Sequence, residues 1–207
     1  LEINDRPDAH TGGRDWVLRD TWSVRQREMS FRVRVTWVQW THDIGIWPKF
    51  VDTRDLGDDS LTKNGYKVLI VPRAAAMSDK TAQAIKKFAE QGGTVIADTW
   101  CGIMDETCKL REKGALDDLF GVKRGSHKQV ETERLAPGKT GIQIDGAKLP
   151  FVPLEQTLKA DTGKAAGSYK GADVYITRKT GKGNAVYLNF RLESYFLHRL
   201  KGKRVSS

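Results

Sequence analysis

Tyr66-Lys67-Val68-Leu69-Ile70-Val71-Pro72 is an apolar run that ends at a proline. Such a run suits a strand buried on both faces of a parallel sheet, because no alternate position is left polar for water. Ser78-Asp79-Lys80-Thr81 then caps a helix whose Ala82, Ile85, Phe88 and Ala89 recur at helical spacing. Gln91-Gly92-Gly93 closes that helix, with glycine available for a left-handed turn, and Thr94-Val95-Ile96-Ala97-Asp98 follows as a second strand. Strand, helix and strand joined by short links form a βαβ unit. A further helix is expected over Gly114 to Phe120, carried by Leu116, Leu119 and Phe120.

Upstream, residues 23–45 fit two periods. Phe31, Val33, Val35 and Trp37 alternate as in a strand, whereas Met29, Val33, Trp37, Trp40 and Ile44 form a helical stripe. The length of the segment favours a helix, since strands rarely exceed about ten residues, and Gly45 is a suitable stop. Ile46 to Val51 is a short strand candidate despite Pro48. Residues 1–22 are polar and read as a lead-in or linker. After Gly121 the chain breaks into short strands over Gly141–Ile144, Ala172–Thr177 and Ala185–Phe190, with Gly181-Lys182-Gly183 as a hairpin turn between the last two. A final helix is expected over Glu193–Leu200, and residues 201–207 are a basic tail. The predicted fold class is α/β: an open, three-layer, mostly parallel sheet flanked by helices, with a β-hairpin-rich C-terminal half. The domain itself spans 23–200.

The 207 residues carry 35 Lys and Arg against 26 Asp and Glu, a net charge of +9. Arg199, Lys201, Lys203 and Arg204 supply four of those charges from one terminus. The remainder is spread without a basic block, so a nucleic-acid partner is not expected. No apolar run approaches the ~18 residues of a membrane span, so a membrane role is not expected either. The first residues, Leu1-Glu2-Ile3-Asn4-Asp5-Arg6-Pro7, hold neither an initiator methionine nor an apolar signal core. They read as part of a longer polypeptide, and they leave the compartment undetermined.

Ligands in open α/β sheets gather at the carboxyl ends of the strands, which directs attention to Asp98-Thr99-Trp100-Cys101-Gly102-Ile103-Met104-Asp105-Glu106. Cys101 is placed as a nucleophile would be, but a nucleophile elbow needs small flanking residues, and Thr99 and Ile103 stand at the two-residue offsets. A thiolate also needs a His base oriented by an acid. No His-x-Glu pair exists, and His42 and His127 are the candidates. Cys101 therefore reads first as a small buried residue. Trp100, on the same loop, could stack on a sugar or a partner. Asp105 and Glu106 are candidate ligand contacts, with a turn cap or an ion pair to Lys109 or Arg111 as the simpler role. Cys101 and Cys108, seven apart, complete no four-ligand zinc set. Gly181-Lys182-Gly183 lacks the length and the Lys-Ser/Thr end of a phosphate loop, and no Gly-x-Gly-x-x-Gly follows either strand. No cofactor and no metal are expected.

Taken in order, Tyr66–Pro72, Met77-Ser78-Asp79, the Ala/Ile/Phe helix, Gln91-Gly92-Gly93-Thr94-Val95-Ile96 and Cys101-Gly102-Ile103-Met104-Asp105-Glu106 resemble the trimerisation (middle) domain of family 42 β-galactosidases. Gly114-Ala-Leu-Asp-Asp-Leu-Phe-Gly-Val122 and Gly181-Lys-Gly-Asn-Ala-Val-Tyr-Leu188 match two further motifs of that domain. Cys101 stands where the family has Ser, and Met104 where it has Val. The resemblance covers roughly residues 30–192. It implies a flavodoxin-like, class I glutamine amidotransferase-like fold whose ancestral nucleophile site is lost. It also implies a non-catalytic module that assembles as a homo-oligomer, a ring of three, beside the other domains of a parent glycoside hydrolase. The family's catalytic glutamates lie in a separate barrel of ~250 residues, so none maps onto this chain. The family's opening strand is not supplied by residues 1–22, and the basic tail lies outside the pattern. Two other functions fit single features: a cysteine hydrolase using Cys101 with His42 or His127, and a carbohydrate- or polyanion-binding module using Trp100 and basic loops.

Overall fold

The computed structural model describes residues 24–57, 59–125, 143–144, 147–148, 154–169, 171–190 and 192. In chain order the elements are α1 (Val24–Asp43), a 3₁₀ turn (Thr53–Asp55), α2 (Ser60–Lys63), β1 (Val68–Val71), α3 (Asp79–Glu90), β2 (Thr94–Ala97) and α4 (Asp117–Phe120). The C-terminal half adds β3 (Val122–Lys123), β4 (Gln143–Ile144), β5 (Ala147–Lys148), β6 (Lys159–Ala160), β7 (Lys164–Ala165), β8 (Ser168–Tyr169), β9 (Ala172–Asp173), β10 (Tyr175–Thr180) and β11 (Gly183–Leu188).

The main sheet has five strands in the order β1-β2-β11-β10-β7. β1, β2 and β11 run parallel, whereas β10 and β7 are antiparallel to their neighbours. The sheet is therefore mixed rather than mostly parallel. The two-residue link between Thr180 and Gly183 is the reason, since strands joined so tightly can pair only antiparallel. Alternate residues of the parallel strands face opposite layers. Leu69, Val71, Val95, Ala97, Ala185 and Tyr187 pack with Ala82, Ile85, Phe88 and Ala89 of α3 and with Leu119 and Phe120 of α4. Ile70, Ile96, Val186 and Leu188 pack on the other face with Val33, Trp37 and Trp40 of α1 and with Leu154, Val174 and Phe190. Three layers result, with the apolar runs of the sequence buried between helices.

The caps follow the local chemistry. The Ser78 hydroxyl accepts the Thr81 N–H at 3.1 Å and so satisfies one orphan donor of α3. α1 is a helix, as its length required. It ends in a pair of reversed hydrogen bonds, Ile46 N–H to the Thr41 carbonyl (2.8 Å) and Gly45 N–H to the His42 carbonyl (2.9 Å). Gly45, at φ +80°, supplies the left-handed residue this closure needs.

Several expectations change. Residues 46–51 form no strand, because Pro48 lacks a ladder donor and no described strand lies beside them. The helix expected over Gly114–Phe120 is one turn, Asp117–Phe120, stopped by Gly121 at φ +64°. The run Ala172–Thr177 is divided between β9 and β10. The lead-in 1–22, the Glu193–Leu200 helix and the tail 201–207 lie outside the described residues. No described helix is long and apolar enough to cross a membrane.

Candidate functional site

The carboxyl ends of β1, β2 and β11 converge on Asp98, Trp100, Cys101, Tyr187 and Asn189, the region where an open α/β protein would hold its ligand. Here the region is filled by protein. The Arg124 guanidinium lies at its centre, and its side chain is only 3% exposed. Nε donates to Glu155 Oε2 at 2.6 Å, Nη2 donates to the Tyr187 hydroxyl at 2.8 Å, and Nη1 pairs with Asp117. The Tyr187 hydroxyl in turn donates to Glu155 Oε1, which also accepts the Trp100 N–H at 2.6 Å. The second Asp117 oxygen accepts the Gly114 N–H at 2.9 Å. Glu155 is held through its backbone as well: its N–H donates to Asn189 Oδ1 at 2.8 Å, and Asn189 Nδ2 donates to its carbonyl at 2.9 Å. One cation thus faces two carboxylates and a phenol, with every side chain of the group 3% exposed or less.

The protonation states follow from that arrangement. Burial alone would pull the Arg124 pKa down, but the Glu155 charge and its hydrogen bond leave it above the usual arginine value. Burial, reinforced by the Glu155 charge against the opposing Arg124, raises the Tyr187 phenol well above its ordinary range. The phenol therefore stays neutral and acts as a hydrogen-bond bridge. Such a centre is costly to break, because any one partner removed strands the others.

Cys101 lies beside this centre and is 1% exposed. Burial first, and the Asp98 charge second, push its thiol far above the ordinary cysteine range, with Arg124 only partly opposing. A thiol held protonated and out of reach is not poised to attack. His42, a partner considered for it, instead stacks on Trp47 with ring centroids 4.1 Å apart. His127 lies outside the described residues. Neither Cys101 nor Cys108 forms a disulfide among the described residues, and both are buried. In the native protein they are expected to react with a chromogenic disulfide on the order of 100-fold more slowly than in urea. Stopped-flow absorbance with a chromogenic disulfide checks this, and one cysteine reacting at an ordinary thiol rate in the native state would contradict it.

Trp100 does not offer the exposed ring that stacking on a sugar needs: it is 3% exposed, with the Arg73 guanidinium 5.4 Å from its ring centre. Its backbone, at φ +65°, turns the side chain inward while its N–H is taken by Glu155. Asp98 works in the same direction. Its carboxylate accepts the Trp37 indole N–H at 3.1 Å and the Arg73 backbone N–H, and so ties α1 to the ends of β1 and β2. Asp105 caps its own turn, accepting the Thr107 N–H and Lys109 N–H, each at 2.9 Å. Burial is the largest single influence and opposes its ionisation, but the Thr107 hydroxyl and these two N–H groups together keep its carboxyl below the usual range. Arg111 pairs with Asp79 at 2.8 Å, and Glu106 is exposed. Among the described residues, no cluster of three or more His, Cys, Asp or Glu could hold a metal ion.

Sequence reasoning missed Arg124, Asp117 and Glu155 as a unit. The available signals were an aspartate, Asp117, next to the apolar Leu116, and a tyrosine in the apolar Ala185-Val-Tyr-Leu188 strand. Nothing local links them, since Arg124 and Tyr187 are 63 positions apart.

The strand ends of this mixed α/β domain are closed by an ion-pair centre among the described residues. Residues 15–206 match the family model of the β-galactosidase trimerisation domain. The chain belongs to that family, a non-catalytic middle domain of family 42 β-galactosidases. It is 31% identical over 161 residues to β-galactosidase GalA of Bacillus licheniformis, covering 70% of this chain and 23% of that protein. It is 24% identical over 193 residues to β-galactosidase BglY of Alicyclobacillus acidocaldarius, covering 88% of this chain and 27% of that protein. The chain therefore spans about a quarter of the length of these curated relatives. The exo-β-1,4-mannosidase Op5Man5 from Opitutaceae bacterium strain TAV5 shares the fold, with a TM-score of 0.56 at 11% identity. That alignment covers 97% of this chain and 31% of the mannosidase.

Proposed function

We propose that this chain is the oligomerisation module of a β-galactosidase-like, carbohydrate-active multidomain protein, in which three copies close a ring and hold catalytic barrels beside one another. The observation that carries this reading is the family match over residues 15–206, nearly the whole chain. The filled strand ends support it: Arg124, Asp117, Glu155 and Tyr187 close the candidate cleft, and among the described residues Cys101 and Trp100 beside it are buried. In the same reading the fold is flavodoxin-like and class I amidotransferase-like. The Cys101 loop stands at the ancestral nucleophile place, and the buried ion pairs occupy the space a substrate would have taken. The functional unit is 23–200, with 1–22 as a lead-in and 201–207 as a basic tail.

Sedimentation velocity of the full chain over a wide concentration range tests the assembly. A species of three times the chain mass is expected, together with no hydrolysis of a chromogenic β-galactoside by the chain itself. A monomer at every concentration would overturn the assembly, and galactoside hydrolysis abolished by changing Cys101 would overturn the non-catalytic reading.

A further inference from the structure

Among the described residues six large hydrophobic side chains are exposed, and four of them fall within seven positions: Ile44 (58%), Ile46 (54%), Trp47 (80%) and Phe50 (68%). Scattered exposed apolar residues are ordinary, whereas a cluster comparable in area to the largest apolar patch of a typical monomer is often functional. At roughly 150–250 Å² per aromatic side chain, with the isoleucines somewhat smaller, the four leave on the order of 500 Å² of apolar surface in water. That is more than half of the ~800 Å² that each partner buries in a specific, stable interface. The segment is also held in shape before any partner arrives. The Gly45 closure fixes Ile44 and Ile46 against the end of α1, Pro48 restricts the backbone, and His42 stacks on Trp47 at 4.1 Å. Preordered aromatic groups lose little entropy on docking and are the residue types that dominate interface energies. Exposed Asp43 and Lys49 supply the polar border such a contact needs.

We infer that the segment Ile44–Phe50 is the surface by which one copy of this chain docks on the next. The inference rests on the oligomerisation reading above and names its contact. The area favours a second copy: these four side chains alone provide most of one partner's share of a stable interface. A ring of three closes through a head-to-tail contact, in which the segment meets a different surface of the neighbouring copy. Altering it therefore opens every contact in the ring at once. None of the four side chains belongs to the two large buried clusters on either side of the main sheet, so polar substitutions here leave those clusters intact.

The test is sedimentation velocity on the full chain with Trp47→Lys/Phe50→Ser, and with Ile44→Lys/Ile46→Lys as a second variant that keeps the His42–Trp47 stack. Far-ultraviolet circular dichroism establishes that each is folded. The expected result is a trimer for the unaltered chain and a monomer for the folded variants, with the dissociation constant raised at least about 100-fold. Tyr175→Ser, an exposed change elsewhere, is expected to leave the trimer intact. A trimer that survives both double substitutions would overturn this surface while leaving the oligomerisation reading standing, whatever other segment then covers the loop. A monomer for the unaltered chain would overturn both.

Discussion

Replacing Arg124 with methionine is expected to remove about 3–5 kcal/mol of stability, a large part of the total for a domain of this kind. The cause is not the loss of one favourable contact. Asp117 and Glu155 would remain in the interior, with side chains 3% and 1% exposed, facing a phenol and no cation. At about 2–4 °C per kcal/mol for a domain of 150–250 residues, the melting temperature should fall by roughly 6–20 °C. Arg124→Lys should recover only part of the loss. An ammonium keeps the charge, but it cannot present three separate N–H directions to Glu155, Tyr187 and Asp117. Asp117→Asn/Arg124→Met/Glu155→Gln should recover more, because it removes the stranded charges along with the cation. Urea unfolding and calorimetry of the three proteins measure the series. A loss below about 1 kcal/mol for Arg124→Met would mean that water reaches the centre and that it is not closed.

Gly183→Ala should cost about 3 kcal/mol or more, a single methyl in an otherwise ordinary strand. Gly183 does not lie in the left-handed region, so alanine is acceptable to its backbone, and the whole effect is steric. The added Cβ would overlap the carbonyl oxygens of Gly93 and Ala89 and sit 2.9 Å from the carbonyl carbon of Gly92. Overpacking commonly costs about 1–3 kcal/mol where side chains can yield. Here the neighbours are backbone atoms that are themselves committed. Asn184 N–H donates to the Gly93 carbonyl at 3.1 Å, and Gly92 N–H donates to the Ala89 carbonyl at 3.0 Å. Lys182→Ala, at the exposed tip of the same turn, should change stability by no more than about 0.5 kcal/mol. Equal effects at 182 and 183 in thermal unfolding would sink the explanation. The expected contrast also separates a packed hairpin from a phosphate-binding loop, in which the lysine would be the critical residue.

The same contact explains why two motifs, far apart in the chain, both carry paired glycines. Gly92-Gly93 ends α3 and Gly181-Lys182-Gly183 turns between β10 and β11. In the fold the second rests on the first, with Gly93 itself crowded against the Phe88 ring. Each motif was legible as a turn from its own residues. That they touch was not, because no local preference encodes which turn a helix end will meet.

The amino-acid sequence by itself determined the βαβ unit, the caps at Ser78 and Gly45, the Thr180–Gly183 hairpin and the family. These depend on period, capping and turn chemistry, which act over a few residues. It also argued against an elbow at Cys101, since the flanking Thr99 and Ile103 are local facts. Tertiary structure decided the rest. Whether Trp100 faces solvent or the interior depended on Glu155, 55 positions away, taking its N–H. Whether residues 46–51 formed a strand depended on a neighbour being present to pair with them. Whether three separate charged residues were a solvated surface or a closed centre depended on the fold bringing Arg124, Asp117 and Glu155 into one dry space. Burial and long-range pairing carry these outcomes, and both are properties of the packed chain rather than of any stretch of it.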